Sequence, residues 1–114
     1  MEALSESLYL ERSFFNSTIA KDHMGLLRIF HYPYDPNANP ELWAVGEHTD
    51  YGVMTILMIG DKGLQVKNVD NEWINIDPIP NTFVINIGDT LERMTRGLYT
   101  VSYTHLTLPT IYSV

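Results

Sequence analysis

Near the amino terminus the apolar positions recur at helical spacing. Leu4, Leu8 and Phe15 fall on one side, and Glu2, Glu6 and Arg12 take polar positions. This predicts a helix over Met1–Phe15, with Asn16-Ser17 as its stop. From Gly25 the period changes to short β-type runs separated by turn residues. Leu26–Tyr32 is the first such run, and Pro33, Pro36 and Pro40 turn the next stretch into a rigid loop. Trp43–His48 and Val53–Ile59 are the second and third. Leu64–Asn68 and Trp73–Ile76 read as a hairpin around Asp70-Asn71, two residues that tolerate turn geometry. Thr82–Ile87 is a strongly apolar strand. Asp89-Thr90-Leu91-Glu92 matches a helix-capping box, and Gly97 is placed to end that short helix, near 89–96. Regularly spaced strands with few helices predict a mainly β sandwich or barrel. Trp73 and Phe83 are expected in its core.

Composition narrows the class. With 45% hydrophobic and 18% charged residues the chain has the balance of a globular domain rather than of a disordered segment. Fourteen Asp and Glu against seven Lys and Arg give a net charge of −7, which disfavours non-specific binding to nucleic acid or to an anionic membrane. The absence of cysteine excludes disulfides, Cys-ligated zinc, Fe–S clusters and thiol catalysis. No apolar run approaches the length of a membrane span, and the acidic Met1–Glu11 lacks the basic start of a signal peptide. A cytoplasmic protein is the expectation. Oligomeric state is not legible.

The last stretch, Val101–Val114, differs from the rest. Every Asp, Glu, Lys and Arg lies before it, and it is rich in Thr, Ser and Tyr without clear periodicity. The run VSYTHLTLPT resembles one reading frame of a transposon-derived sequencing-library adaptor, which would make residues 101–114 an artefactual tail. The alternative is an ordinary β-hairpin turning at Leu108-Pro109-Thr110. Three segments follow: 1–24, an N-terminal helix and linker; 25–100, the core; and 101–114, the tail.

The candidate chemistry lies in Glu47-His48-Thr49-Asp50. Side chains two apart on a strand share a face, so His48 and Asp50 can reach one cavity. An imidazole and a carboxylate are two of the three ligands of the facial triad of non-haem Fe(II) oxygenases. His-x-Asp alone also suits a solvated surface pair. His23 and His31 have no paired ligand in the sequence, and Met54, Met58 and Met94 read as gap-filling apolar residues.

Taken in order, LLRIFHYP, GEHTDYGVMTIL and GLQVKNVDNEWINIDPIPNTFVINIGDTLERMTRGLY resemble the catalytic core of the 2-oxoglutarate and Fe(II)-dependent oxygenases, in particular the isopenicillin N synthase-like branch. The resemblance runs from about Leu26 to Tyr99. It implies a double-stranded β-helix, a jelly roll of two facing sheets, of which this chain supplies part. It further implies Fe(II) held by His48 and Asp50, O2 activation, 2-oxoglutarate as co-substrate and oxidation of a small organic substrate. Isopenicillin N synthase itself does not use 2-oxoglutarate. Tyr32 matches a tyrosine that hydrogen-bonds a carboxylate of that co-substrate in several members; a strand-end tyrosine packing its ring is the other reading. Arg28, at an even spacing from Tyr32, suits a substrate carboxylate or a structural salt bridge. Asn86 and Asp89 read as structural, a buried hydrogen-bonding group and a helix cap.

The chain also departs from that pattern. The family's distal iron histidine would fall at about Tyr103 or Thr104, whereas the chain offers His105. A slip of one residue turns a strand side chain to the opposite face, so His105 is not expected at the iron. The Arg and Ser that anchor the far carboxylate of 2-oxoglutarate have no counterpart, since no Arg follows Arg96. The fragment is therefore expected to be inactive. The alternatives are a non-catalytic binding or structural jelly roll and a cupin-like hydrolase, for which more histidines near His48 would be expected.

Overall fold

The computed structural model describes residues 1–33, 35–37, 39 and 43–107, without the side chain of Thr107. Pro40 and the proposed turn at Leu108-Pro109-Thr110 lie outside the described residues. The chain divides into two compact units, Met1–Phe30 and His31–Val114.

In the first unit the expected single helix is two short ones, α1 (Glu2–Ser7) and α2 (Phe14–Ser17). A continuous helix would leave the Leu4, Leu8 and Phe15 stripe uncovered. The chain instead turns at Tyr9, in the left-handed region at φ 56°, and the Leu10 amide donates back to the Ser5 carbonyl. Phe15 thereby becomes 2% exposed, its amide facing the Ser5 hydroxyl, while Arg12 pairs with Glu2 and Glu6. The expected strand Leu26–Tyr32 does not form: the segment has no regular structure, and Leu26, Leu27, Ile29 and Phe30 are exposed. A strand exists only through its ladder, and no described strand pairs with this one.

The second unit holds the strands β1 (Trp43–His48), β2 (Met54–Leu57), β3 (Leu64–Lys67), β4 (Trp73–Asn75) and β5 (Val84–Ile87), then α3 (Asp89–Met94) and β6 (Thr104–Thr107). Two antiparallel sheets result, one of four strands in the order β1-β6-β3-β4 and one of two, β2-β5. The mainly β expectation holds. The β3–β4 hairpin forms as its sequence predicts, with Asn71 left-handed at φ 63° in the turn. Phe83, expected in the core, is 60% exposed; among the described residues of this unit the buried apolar side chains are Leu64 and Leu91. Among the described residues no helix is long and apolar enough to cross a membrane.

Thr104–Thr107, within the compositionally distinct stretch, occupies the middle of the larger sheet. Thr104 lies opposite both His48 and Val66, and His105 opposite Gln65. Alternation therefore sends His105 to the face away from His48. There it is 2% exposed between Trp43, stacked at 4.6 Å, and Trp73, tilted at 3.9 Å. Its Nε2–H donates to Gln65 Oε1, and the Gln65 amide donates to Asn75 at 2.7 Å, so one polar row crosses three strands. On the same face Lys67 reaches Glu47 at 2.8 Å and lies over the Trp73 and Tyr103 rings.

The capping box at Asp89 is not what starts α3. The cap position is Gly88, and no side chain caps the helix. The orphan amides that every helix start exposes go to backbone carbonyls: Gly88 N–H to Val53 at 3.0 Å, Asp89 N–H to Asp50 at 2.7 Å and Thr90 N–H to Gly52 at 3.2 Å. The Thr90 hydroxyl adds a bond to the Tyr51 carbonyl at 2.7 Å. The 50–53 loop and the β5–α3 corner are thus in backbone contact, which requires glycine: a Cβ on Gly88 would collide with the Gly52 oxygen and lie 2.7 Å from the Asp50 oxygen. After the helix, Arg96 and Gly97 both adopt left-handed φ, and the Gly97 amide donates to the Glu92 carbonyl, closing the turn.

Gly88→Ala is expected to cost about 1–3 kcal/mol from overpacking, a fall of roughly 5–15 °C in melting temperature; an unchanged melt would show that the corner is loose. A second expectation concerns acid. Burial lowers the pKa of His105 below the usual 6.5, Glu47 opposing and Lys67 reinforcing the shift. The unfolded chain then binds more protons than the native one just below that value, so the stabilisation is complete above it and is lost as pH falls. Melting temperature should drop between about pH 7.5 and about pH 5.5, and His105→Gln should flatten that dependence.

Candidate functional site

His48 is the last residue of β1. Against β6 the register of β1 shifts twice, between Trp43 and Val45 and again between Val45 and His48. Such bulges twist a strand and re-aim the side chains at its end. The imidazole is then oriented by its own backbone: Nδ1–H donates to the Gly46 carbonyl at 2.9 Å. That bond selects the tautomer in which Nε2 keeps its lone pair.

Asp50 lies two residues beyond, in the loop pinned by α3. Its two oxygens have different surroundings. Oδ2 accepts hydrogen bonds from the Thr55 hydroxyl and from Asn86 Nδ2, the latter at 2.8 Å. Oδ1 faces His48, 3.6 Å from Nε2. Partial burial by itself would raise the carboxyl pKa, but the bonds from Thr55 and Asn86, with the nearby His48, outweigh it and hold the group below the usual carboxylate value. The carboxylate is ionised at neutral pH, and the two donor atoms converge on one point at the end of the larger sheet.

Convergence on that scale suits a single cation. Two atoms each about 2.1 Å from one ion are at most about 4.2 Å apart. The chemistry also matches: one imidazole nitrogen and one carboxylate oxygen to which no described residue donates are the N and O ligands that suit Fe(II). Among the described residues no group of three His, Cys, Asp or Glu side chains is placed to hold a metal ion. The residues present therefore fit two of three ligand positions. On β6 the residue opposite His48 is Thr104.

Tyr32 is half-buried in the second unit, outside any strand. Arg28 belongs to the first unit, and the strand that was to place both on one face is absent. His105 points away from His48. Asn86 is half-buried and hydrogen-bonded, with Asp50 as its partner.

Thr55 was missed in the sequence. It is the one polar side chain in the run Val53–Met58, and a hydroxyl inside an otherwise apolar strand needs a partner. That signal was available.

Comparison with known proteins bears on the whole of this arrangement. Residues 24–110 match the model of the 2OG-Fe(II) oxygenase superfamily. The chain is 48% identical over 115 residues to a probable iron/ascorbate oxidoreductase of Dictyostelium discoideum, covering 87% of this chain and 31% of that protein. It is 41% identical over 101 residues to flavanone 3-dioxygenase 2 of Oryza sativa subsp. japonica, covering 86% and 28% respectively. The crystal structure of JOX2 in complex with 2OG, Fe and JA superposes with a TM-score of 0.78 at 30% identity, over 95% of this chain and 32% of that one. The chain spans about a third of the length of such relatives. Its two antiparallel sheets match the jelly-roll core of the family. By sequence and by fold, the chain belongs to the 2OG-Fe(II) oxygenase superfamily.

Proposed function

We propose that His48 Nε2 and Asp50 Oδ1 are two protein ligands of an Fe(II) centre. In the complete protein, that centre would use O2, with 2-oxoglutarate as co-substrate, to oxidise a small organic molecule. The observation that carries this reading is the convergence of the two donor atoms to 3.6 Å, each presented by a hydrogen bond to its other heteroatom. When bound, the iron and its co-substrate would supply the oxidising chemistry. The chain's own contribution is to present one imidazole nitrogen and one ionised carboxylate. Tyr32 is proposed to hydrogen-bond a carboxylate of 2-oxoglutarate, on the resemblance of HYP in this sequence to the family pattern.

The 114 residues are further proposed to be inactive as they stand. Opposite His48 the inner strand β6 carries Thr104, whose hydroxyl is a much weaker iron ligand than an imidazole. Residues 101–114 are proposed to be foreign to the parent protein, although the family match runs on to residue 110; this would account for the lack of a histidine at about Tyr103 or Thr104, where the resemblance places one. The rival reading is a structural His48–Asp50 pair: 3.6 Å is longer than a hydrogen bond but within ion-pair distance, so metal affinity decides between the two.

Thr104→His is the direct test. It should raise affinity for Fe(II) or Co(II) at least about tenfold over the parent chain, through a completed facial triad, and His48→Ala should abolish that gain. Metal affinity indifferent to Ala at both His48 and Asp50 would refute the site. The parent chain, given Fe(II), ascorbate and 2-oxoglutarate, should release no succinate above background; sustained release would refute its inactivity.

A further inference from the structure

The carboxylate of Asp50 is approached from the second sheet by two donors that are themselves neighbours. Thr55 on β2 and Asn86 on β5 are directly paired across the antiparallel ladder. Paired residues place their Cβ atoms on the same face, about 4.5–5.5 Å apart, so a hydroxyl and an amide stand side by side. Both donate to the same oxygen, Oδ2. The other oxygen, Oδ1, is the one beside His48 Nε2. All three side chains are half-buried, where a charge-assisted hydrogen bond is stronger than in bulk water.

From this geometry we infer that Thr55 and Asn86 act as a positioning pair: they engage one oxygen of Asp50, so that only Oδ1 is offered to a metal ion. The inference rests on the reading of His48 and Asp50 as metal ligands and deepens it. Neither residue touches the ion; both act through Asp50. A carboxylate free to rotate could present either oxygen, or both at once. Two donors on Oδ2 restrict it to a single-oxygen ligand and lower the ordering cost of binding. The pairing of β2 with β5 is then part of the metal site, although the sheet supplies no ligand. Thr55 and Asn86 also lie 31 residues apart, and only the Met54↔Ile87 to Leu57↔Val84 register brings them together.

The test uses the full chain and Co(II) as the probe, titrated into the millimolar range and followed by paramagnetic shifts of the backbone amide protons around residues 46–50. The melting temperature of each metal-free variant is measured alongside. Thr55→Val and Asn86→Ala should each weaken Co(II) binding by about 10–100-fold, the range for lost support of a metal ligand. Thr55→Ser, which keeps the hydroxyl, should bind like the parent. Should Asn86→Ala fail to fold, the comparison of Thr55→Val with Thr55→Ser decides alone. Parent-like binding by Thr55→Val would overturn the positioning role, as would weakened binding by Thr55→Ser at an unchanged melting temperature. If His48→Ala leaves Co(II) affinity at the parent's value, the metal reading itself fails and takes this inference with it. If His48→Ala abolishes binding while Thr55→Val does not, the metal reading stands and only the positioning role falls.

Discussion

A helix start must find acceptors for its orphan amides, and in this chain it finds them in the loop that carries Asp50. Gly88, Asp89 and Thr90 donate to the carbonyls of Val53, Asp50 and Gly52. Close approach is possible because Gly88 has no Cβ; any larger residue would strike the Gly52 and Asp50 oxygens. The backbone of the acidic residue is fixed by α3, and its side chain is fixed by Thr55 and Asn86 from the β2–β5 pair. His48 arrives independently from the other sheet, at the end of a twice-bulged β1. The candidate site is therefore a junction between elements, and each of its two donor groups depends on a different sheet.

The larger sheet has an economy of its own. One of its two inner strands, β6, comes from a stretch with no charged residue, yet it joins β1 to β3. One face presents Thr104 and Val66 beside His48; the other buries His105 between two tryptophans and links it through Gln65 to Asn75. Lys67 and Glu47 clip the same face. Burying a neutral histidine there gives the sheet an acid-sensitive element remote from His48.

Periodicity located most of this fold. The runs Trp43–His48, Leu64–Asn68 and Trp73–Ile76 form strands close to the expected limits, because their alternation and turn residues agree. Where the reading failed, the cause was tertiary. Leu26–Tyr32 has strand composition but pairs with no described strand, and Phe83 has core composition but is 60% exposed. The helical stripe through Leu4, Leu8 and Phe15 folds back on itself rather than wait for another element to bury it. Asp89 has the right residue type for a cap, but the carbonyls of the neighbouring loop take the amides first. The closeness of His48 to Asp50 was expected from their spacing on one strand, but β1 ends at His48, and it is the loop after it that brings Asp50 alongside. The support around them was only half legible: Asn86 showed as a buried hydrogen-bonding group without its partner, and the Thr55–Asp50 bond depends on a loop geometry that no local pattern encodes.

The most direct measurement is an anomalous difference map from crystals of this chain soaked in Mn(II). One peak is expected roughly 2.0–2.2 Å from both His48 Nε2 and Asp50 Oδ1, with Oδ2 still bonded to Thr55 and Asn86. Density bridging both Asp50 oxygens, or a metal bound elsewhere with His48 and Asp50 bare, would contradict it.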